Sequence, residues 1–542
     1  MKKQLMVLLI TLLLVFSLVS CGSSEKGEAA PVKEVEGTVV AIAKENDAIS
    51  MNSMYATDGM SFEMIHATVD GLMDVDGQGK LTYAIAESHT ESEDGLVYTF
   101  KLRDANWSNG TPVTAKDFVF AWQTVLVSPE AEYSYLFTAG NASVLNADAI
   151  LAGEMDKSEL GIKALDDKTL QVTLSSKTPY FLGLMAFPVF FPVNEEFYDA
   201  QDGEYALLPS KLIANGPYKL TNWERDTKLE FAKNESYYDA DKVKVDGLTV
   251  NITAEASTSA TAFEAGEISF AKISSDLIDK YKDSPEFTQL LDGYLWYLQP
   301  NLNVPALNNQ NLRLALAYAL DKQDLVENVL KDGSVVGNGF VPTMLAADTK
   351  GVDFRATAGD SQSLNKAKAV EYYEKAKKEL GVDEVTIKLL YETADPAKTA
   401  AEYIQANLQA NLPGLVVEMD AQSKEARIEN QKVREFEVAL TRWGPDYADP
   451  TTYLNMMITG NSYNYGDYSS PEFDAKMAAA ASSTDLDERW NLLVEAEKIL
   501  IDDLPVIAVF QVGGASLIKE NVKGIEVHTV GVPYVYKSLE VK

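Results

Sequence analysis

The chain has 542 residues, 46% of them apolar and 24% charged, a globular composition long enough for several core-sized units. Its formal net charge of −34 excludes nucleic acid as a partner, because phosphate needs a basic surface, and argues against a face drawn to anionic lipid. Such a charge keeps copies apart, and a dispersed monomer is expected.

Lys2 and Lys3 open the chain, an apolar run follows from Leu5 to Val19, and small residues lead to Cys21. The run falls short of the roughly 20 residues of a spanning helix, and basic start, apolar stretch and small residues together form an export signal. Leu18-Val19-Ser20 before Cys21 resembles the signal of bacterial lipoproteins, in which the chain is cut before a cysteine that carries lipid. That resemblance implies a signal peptide over 1–20, lipidation at Cys21, a tether over 21–37 rich in Gly, Ser, Glu and Lys, and a mature charge of −34 − 2 = −36. It sets the body on the outer face of the cytoplasmic membrane or in the periplasm, lipid-anchored. Cys21 is the only cysteine, so the body has no disulfide, thiolate zinc site or cysteine nucleophile and relies on its core.

No internal repeat is present. Residues 96–103 (LVYTFKLR) and 169–174 (TLQVTL) alternate as strands. Residues 114–127 read as a helix with Thr114 as N-cap, Asp117 three positions on, and Pro129 beyond the end; Trp107 and Trp122 read as core. The run DVDGQG at 74–79 lacks the spacing of a calcium loop and reads as a turn, and Tyr133 and Tyr135 are candidates to reach a cleft. Residues 311–330 form a second helix. From 365 onward helix and strand alternate: helix to Gly381, strand 385–391, helix 397–410, strands 415–419 and 436–440, helices near 471–481 and 485–502, strand 505–512. This succession predicts an α/β fold with a largely parallel sheet.

Ligands of open α/β sheets bind beyond the carboxyl ends of strands, which makes 441–450 a binding-loop candidate. There Trp443, Tyr447 and Tyr453 surround Asp446 and Asp449, between Pro445 and Pro450. Acids among aromatic rings need a positive partner. Asp449, ahead of Pro450, reads as a turn or cap residue, and Asp446 as either a cap or the holder of a ligand cation. The three histidines, His66, His89 and His528, are far apart in sequence, and no nucleophile elbow, HExxH or phosphate loop occurs. No enzyme, metal or cofactor is expected; a hydrolase using paired acids is the weakest reading.

Trp107-Ser108-Asn109-Gly110, the run from Pro112 to Phe118, Trp122, NGPYKL at 215–220, FEAGEI at 263–268, LRLALAYALDKQDL at 312–325 and WGPDYADPTTYLN at 443–455 together resemble family 5 of the extracellular solute-binding proteins, in particular the oligopeptide binders that serve ABC-type importers. The resemblance implies a two-lobed periplasmic-binding-protein-like α/β fold of class II type with an extra small domain in the first lobe. Lobe one is placed at 38–69, 194–299 and 511–542, the extra domain at 70–193 and lobe two at 300–510, with the chain crossing between lobes near 299–303 and 510–513. An extended oligopeptide is then bonded through its backbone between closing lobes and delivered to permease subunits. Its α-ammonium meets Asp446, beside Tyr447, Trp443, Arg442 and Gly444, and the facing strip is Asp58, Gly59 and Met60. Relatives of this kind also bind dipeptides, oligosaccharides, haem or metal chelates. The sequence departs from the family pattern at His89, at 308–313, and at Leu440, where some oligopeptide binders carry a base for the peptide's C-terminus; here the base is Arg442.

Overall fold

The computed structural model describes residues 37–542 other than Gln78, Asp395 and Thr484. The export signal and Cys21 lie outside the described residues. No helix among those described is long and apolar enough to cross a membrane.

One sheet runs through the molecule. Its strands lie in the order Leu415–Gln422, Val385–Glu392, Val438–Trp443, Phe287–Pro300, Ile507–Ile518, Phe270–Ile273, Val39–Lys44, Gly247–Ile252, Lys228–Lys233 and Tyr218–Glu224, with Val335–Val336 added to Ile507–Ile518. Parallel pairs join Val385–Glu392 to both its neighbours and Val39–Lys44 to both of its own; the remaining pairs are antiparallel. The sheet is therefore mixed rather than largely parallel. The helix–strand alternation that predicted parallel pairing is confined to the stretch after residue 365.

Two long strands carry the sheet from one half of the molecule to the other. Phe287–Leu291 pairs with Gly513–Leu517, and Leu295–Leu298 pairs with Ile507–Gln511, with a register shift between Leu291 and Leu295. Side chains alternate across the strand, so Trp296 and Leu298 enter one core with Leu316, Tyr373 and Leu440, while Leu295 and Tyr297 enter another with Tyr453, Phe473 and Leu493. A separate antiparallel sheet orders Ala86–Glu91, Val97–Leu102, Thr169–Thr173 and Ile162–Asp166. Its Phe100 shares a core with Trp107, Phe118 and Trp122, and this core also contains Val40 and Ile42 of the main sheet.

Helix Ala115–Val127 starts as its cap residues predict: the Thr114 amide donates to Asp117 Oδ2 at 3.0 Å, and Trp107 Nε1 donates to the same oxygen at 3.0 Å. Residues 311–330 do not form one helix. Helix Gln310–Ala319 ends at Leu320, and a new turn begins where the Asp321 carboxylate accepts the Asp324 amide at 3.1 Å. The apolar spacing continues across the break and hides it. Helix Lys424–Lys432, absent from the reading above, has only Arg427 and Gln431 buried and so offers no apolar stripe.

Candidate functional site

Strand Val438–Trp443 runs three residues beyond the predicted 440, so Thr441, Arg442 and Trp443 are strand and the loop begins at Gly444. Arg442 pairs with Trp296 and Trp443 with Leu295. The loop therefore springs from the sheet beside the register break at Asp292–Tyr294. At Gly444 a Cβ would lie 2.4 Å from the Tyr294 ring, so the close approach of that ring requires glycine. The buried Tyr453 hydroxyl donates to the Gly293 carbonyl at 2.6 Å and shares its proton with the Trp443 carbonyl at 2.9 Å, tying the loop's start to the break.

The two acids of the loop have opposite surroundings. Asp449 is buried and meets Arg489 in a two-pronged ion pair, with contacts of 2.7 and 2.8 Å. Its Oδ1 also accepts from the Thr451 amide at 3.0 Å and the Thr451 hydroxyl at 2.6 Å. It is the turn residue its position suggests, with Arg489 from helix Leu486–Asp503 as its positive partner.

Asp446 has no cation at ion-pair distance among the described residues. Its amide donates to the Thr452 hydroxyl at 3.0 Å. The side chain is half-buried, and tyrosines surround it: Tyr133 and Tyr135 from the turn Glu132–Phe137, Tyr294 at the register break, and Tyr463 all feel its charge. Burial pushes its carboxyl up to about 6, opposed by a hydrogen bond from the Tyr135 hydroxyl. Trp443 packs edge-on against Tyr463, with ring centres 5.0 Å apart.

Tyr447 points elsewhere. It is buried, and its ring stacks on that of Tyr180, 4.2 Å away and 5° from parallel, against the core of the first half. Its ring is thus held in packing and is not exposed beside Asp446. Asp58 caps helix Gly59–Thr68: its Oδ1 accepts the Ser61 amide at 2.9 Å, and its other oxygen accepts the Ser61 hydroxyl. Its charge still reaches Tyr133. Gly59 lies against Pro533, and Met60 packs on the first core. Arg442 is half-buried, its guanidinium 5.4 Å from the Tyr294 ring centre and 5.3 Å from that of Trp296.

The structure thus brings Asp446 together with Tyr133, Tyr135, Tyr294 and Tyr463, sets Trp443 and Gly444 against two of those rings, and carries the charges of Arg442 and Asp58 to the same group. The sequence signalled Tyr133 and Tyr135 as candidates; nothing local singled out Tyr294, Tyr463, Tyr180 or Arg489. His66 lies 3.0 Å from Asp74 and burial lowers it to about 4; burial, with the charge of His66, also lowers His528 to about 4. Among the described residues no three His, Cys, Asp or Glu side chains gather as a metal site.

The family described as bacterial extracellular solute-binding proteins, family 5 middle region, matches residues 80–465. The dipeptide-binding protein DppE of Bacillus subtilis is 31% identical over 523 residues, 95% of this chain and 95% of that protein. The oligopeptide-binding protein OppA of Bacillus subtilis is 30% identical over 553 residues, covering 98% and 99%. The structure of Listeria monocytogenes OppA bound to peptide superimposes with a TM-score of 0.73 at 32% identity, over 94% of this chain and 99% of that one.

Proposed function

Because the chain belongs to family 5 of the bacterial extracellular solute-binding proteins, we propose that it captures extended peptides between its two halves and hands them to the permease of an ABC-type importer. It is a binding protein, not an enzyme. One observation carries the reading. Asp449 has Arg489, whereas Asp446, in the same loop, is held among tyrosines with no cation among the described residues. A peptide's α-ammonium supplies that cation. The tyrosine hydroxyls and partly dry walls strengthen the pair, because charges attract more where water is excluded. Backbone pairing along Arg442–Gly444, faced by Asp58, Gly59 and Met60, would accept any sequence, as strand addition does.

The same proposal divides the molecule into lobe one at 38–69, 194–299 and 511–542, an extra domain at 70–193 and lobe two at 300–510. The register shift between Leu291 and Leu295 supports a hinge at 292–294 and 511–514, several residues before the 299–303 suggested by sequence. Lipid on Cys21 would anchor a monomer outside the membrane.

The test uses four pairings in a calorimeter: the unaltered protein and Asp446→Ala, each with a free-amine peptide and its N-acetylated form. Breaking a buried, hydrogen-bonded charge pair costs about 2–5 kcal/mol, roughly thirty-fold to a few thousand-fold in affinity. Either change alone should weaken binding by that amount, and both together by less than the sum. Equal binding of free and acetylated peptides to the unaltered protein would remove Asp446 as an ammonium receptor.

A further inference from the structure

Lys322 opens the turn that follows helix Gln310–Ala319, and only 5% of its surface is exposed. Its ammonium donates to the Gly337 carbonyl at 2.9 Å and to the Ser361 hydroxyl at 3.2 Å. An ammonium has three N–H donors, so one is left without an acceptor, and the two acceptors present are neutral. Among the described residues no carboxylate stands within ion-pair distance of it. The acid that acts on its charge, Asp360, is exposed.

The buried charges nearby do not supply the missing anion. A Cβ at Gly339 would overlap the Arg355 guanidinium, so that side chain lies directly against the segment after Gly337. Arg355 is paired with Glu497, and Glu497 also accepts the Val341 amide at 2.8 Å. Arginine and glutamate cancel, and the charge of Lys322 is what remains. Burial pulls its ammonium down to about 8, which leaves most of it protonated at neutral pH. A buried cation without a counter-ion carries a desolvation cost that an anion would relieve.

There is room for one. Lys322, Ser361 and Gln362 line a cavity of about 20 Å³ whose remaining lining is apolar side chains and Gly339, among them Phe340, Leu500, Leu504 and Ile507. Such a volume takes one water-sized body. That excludes a large solute and admits a monatomic anion. A water molecule would accept the spare N–H but bring no charge. The Ser361 hydroxyl accepts from Lys322 and keeps its own proton to give, a second donor for an anion.

We propose that Lys322 and Ser361 hold a monatomic anion in this cavity, chloride under ordinary salt. The ion would tie the turn at Lys322 to the segment at Ser361, which is itself fastened to helix Leu486–Asp503 by the Gln362 amide donating to the Ile501 carbonyl at 2.8 Å. The site is separate from the Asp446 loop and does not rest on the peptide-binding reading.

Bromide serves as the probe, because its anomalous scattering marks its position. Crystals of the unaltered protein grown in sodium bromide should show an anomalous peak in contact with Lys322 Nζ and Ser361 Oγ. Melting in sodium chloride against sodium gluconate at equal ionic strength reads the stabilisation. At about ten times its dissociation constant, one bound ion should raise Tm by about 1–2 °C in a chain of this size, and the gain should level off as the site fills. Lys322→Met keeps the bulk and removes the charge, and it should lose the gain. Bromide peaks elsewhere with none at Lys322 overturn the proposal. A peak at Lys322 with a melting gain that Lys322→Met retains means an adventitious ion only, and overturns it too. If Lys322→Met does not fold, the titration of the unaltered protein decides: a plateau supports one filled site, and a gain that is absent or climbs without levelling overturns it.

Discussion

Asp446 and Asp449 are three positions apart, and the difference between them is one arginine. Arg489 keeps Asp449 in service of the loop, while Asp446 keeps a raised carboxyl and an unmet charge. If Asp446 receives the peptide amine, as proposed, capture has a defined pH window, because the complex then needs Asp446 ionised and the amine protonated. Asp446 titrates at about 6 in the free protein, so below that pH a proton must leave before the amine can pair. A peptide amine titrates near pH 7.7–8.0, and above that the free ligand gives up its charge. Affinity should be level from about pH 6 to 8 and fall toward tenfold per unit on either side, one proton being released on the acid limb and one taken up on the basic limb. Competition binding across this range checks it, and an affinity flat from about pH 5 to 9 would be inconsistent with the pair. Melting curves belong beside these data. His66 and His528 titrate near 4 when folded and at about 6.5 when unfolded, so their share of stability is present above 6.5 and lost as pH falls toward 4. The acids were visible in the sequence as acids among rings. Which one had a partner was not, because Arg489 reaches Asp449 only through the packing of helix Leu486–Asp503.

At the scale of elements, the loop after Val438–Trp443 is fixed at both ends: Tyr453 bonds to the Gly293 and Trp443 carbonyls at its start, and Arg489 holds Asp449 at its end. Removing Arg489 leaves a buried carboxylate unpaired, which typically costs about 3–5 kcal/mol. Arg489→Leu should lower the melting temperature and weaken peptide binding together, because the turn that places Asp446 loosens. Adding Asp449→Asn should restore part of the stability, since the orphaned charge is then gone. A single variant that melts with the parent would show that the pair does not hold the loop. Most elements were legible where one face is apolar and the ends are capped, as in Ala115–Val127 and Lys366–Leu380, which stops at left-handed Gly381. They were not legible where the apolar rhythm runs through a break, as at Leu320–Asp321, or is missing, as in Lys424–Lys432. The end of Val438–Trp443 was misplaced because polar Thr441 and Arg442 look like loop, while their strand character comes from pairing with Tyr297 and Trp296.

For the whole molecule, neither the mixed sheet nor the two strands that cross it could be read from local pattern, since the partner of Phe287–Pro300 lies in Ile507–Ile518. Location and motion follow from different parts of the chain. If lipid on Cys21 anchors the protein, Cys21→Ser should shift it from the membrane fraction to the soluble one, and an unchanged distribution would exclude that anchor. On the proposed division into lobes, the motion would turn on the break at Asp292–Tyr294. A protein that contacts its ligand from both halves closes on it, because only the closed form makes both sets of contacts. Gly293 sits at that point with no room for a side chain: a Cβ would lie 2.0 Å from the Thr529 carbonyl oxygen and 2.6 Å from Pro445. Pro445 belongs to the Asp446 loop, so Gly293→Ala drives a wedge between that loop and the Thr529 backbone. Forcing a methyl group into a tight site costs about 1–3 kcal/mol, and here that cost should fall on closure and appear as roughly five-fold to a hundred-fold weaker peptide binding. X-ray scattering should show the unaltered protein contracting when saturated with peptide and Gly293→Ala contracting less at equal occupancy. If the unaltered protein keeps the same radius when saturated, the 292–294 break is not a hinge. If Gly293→Ala contracts and binds like the parent, the break bends without needing the close packing around Gly293.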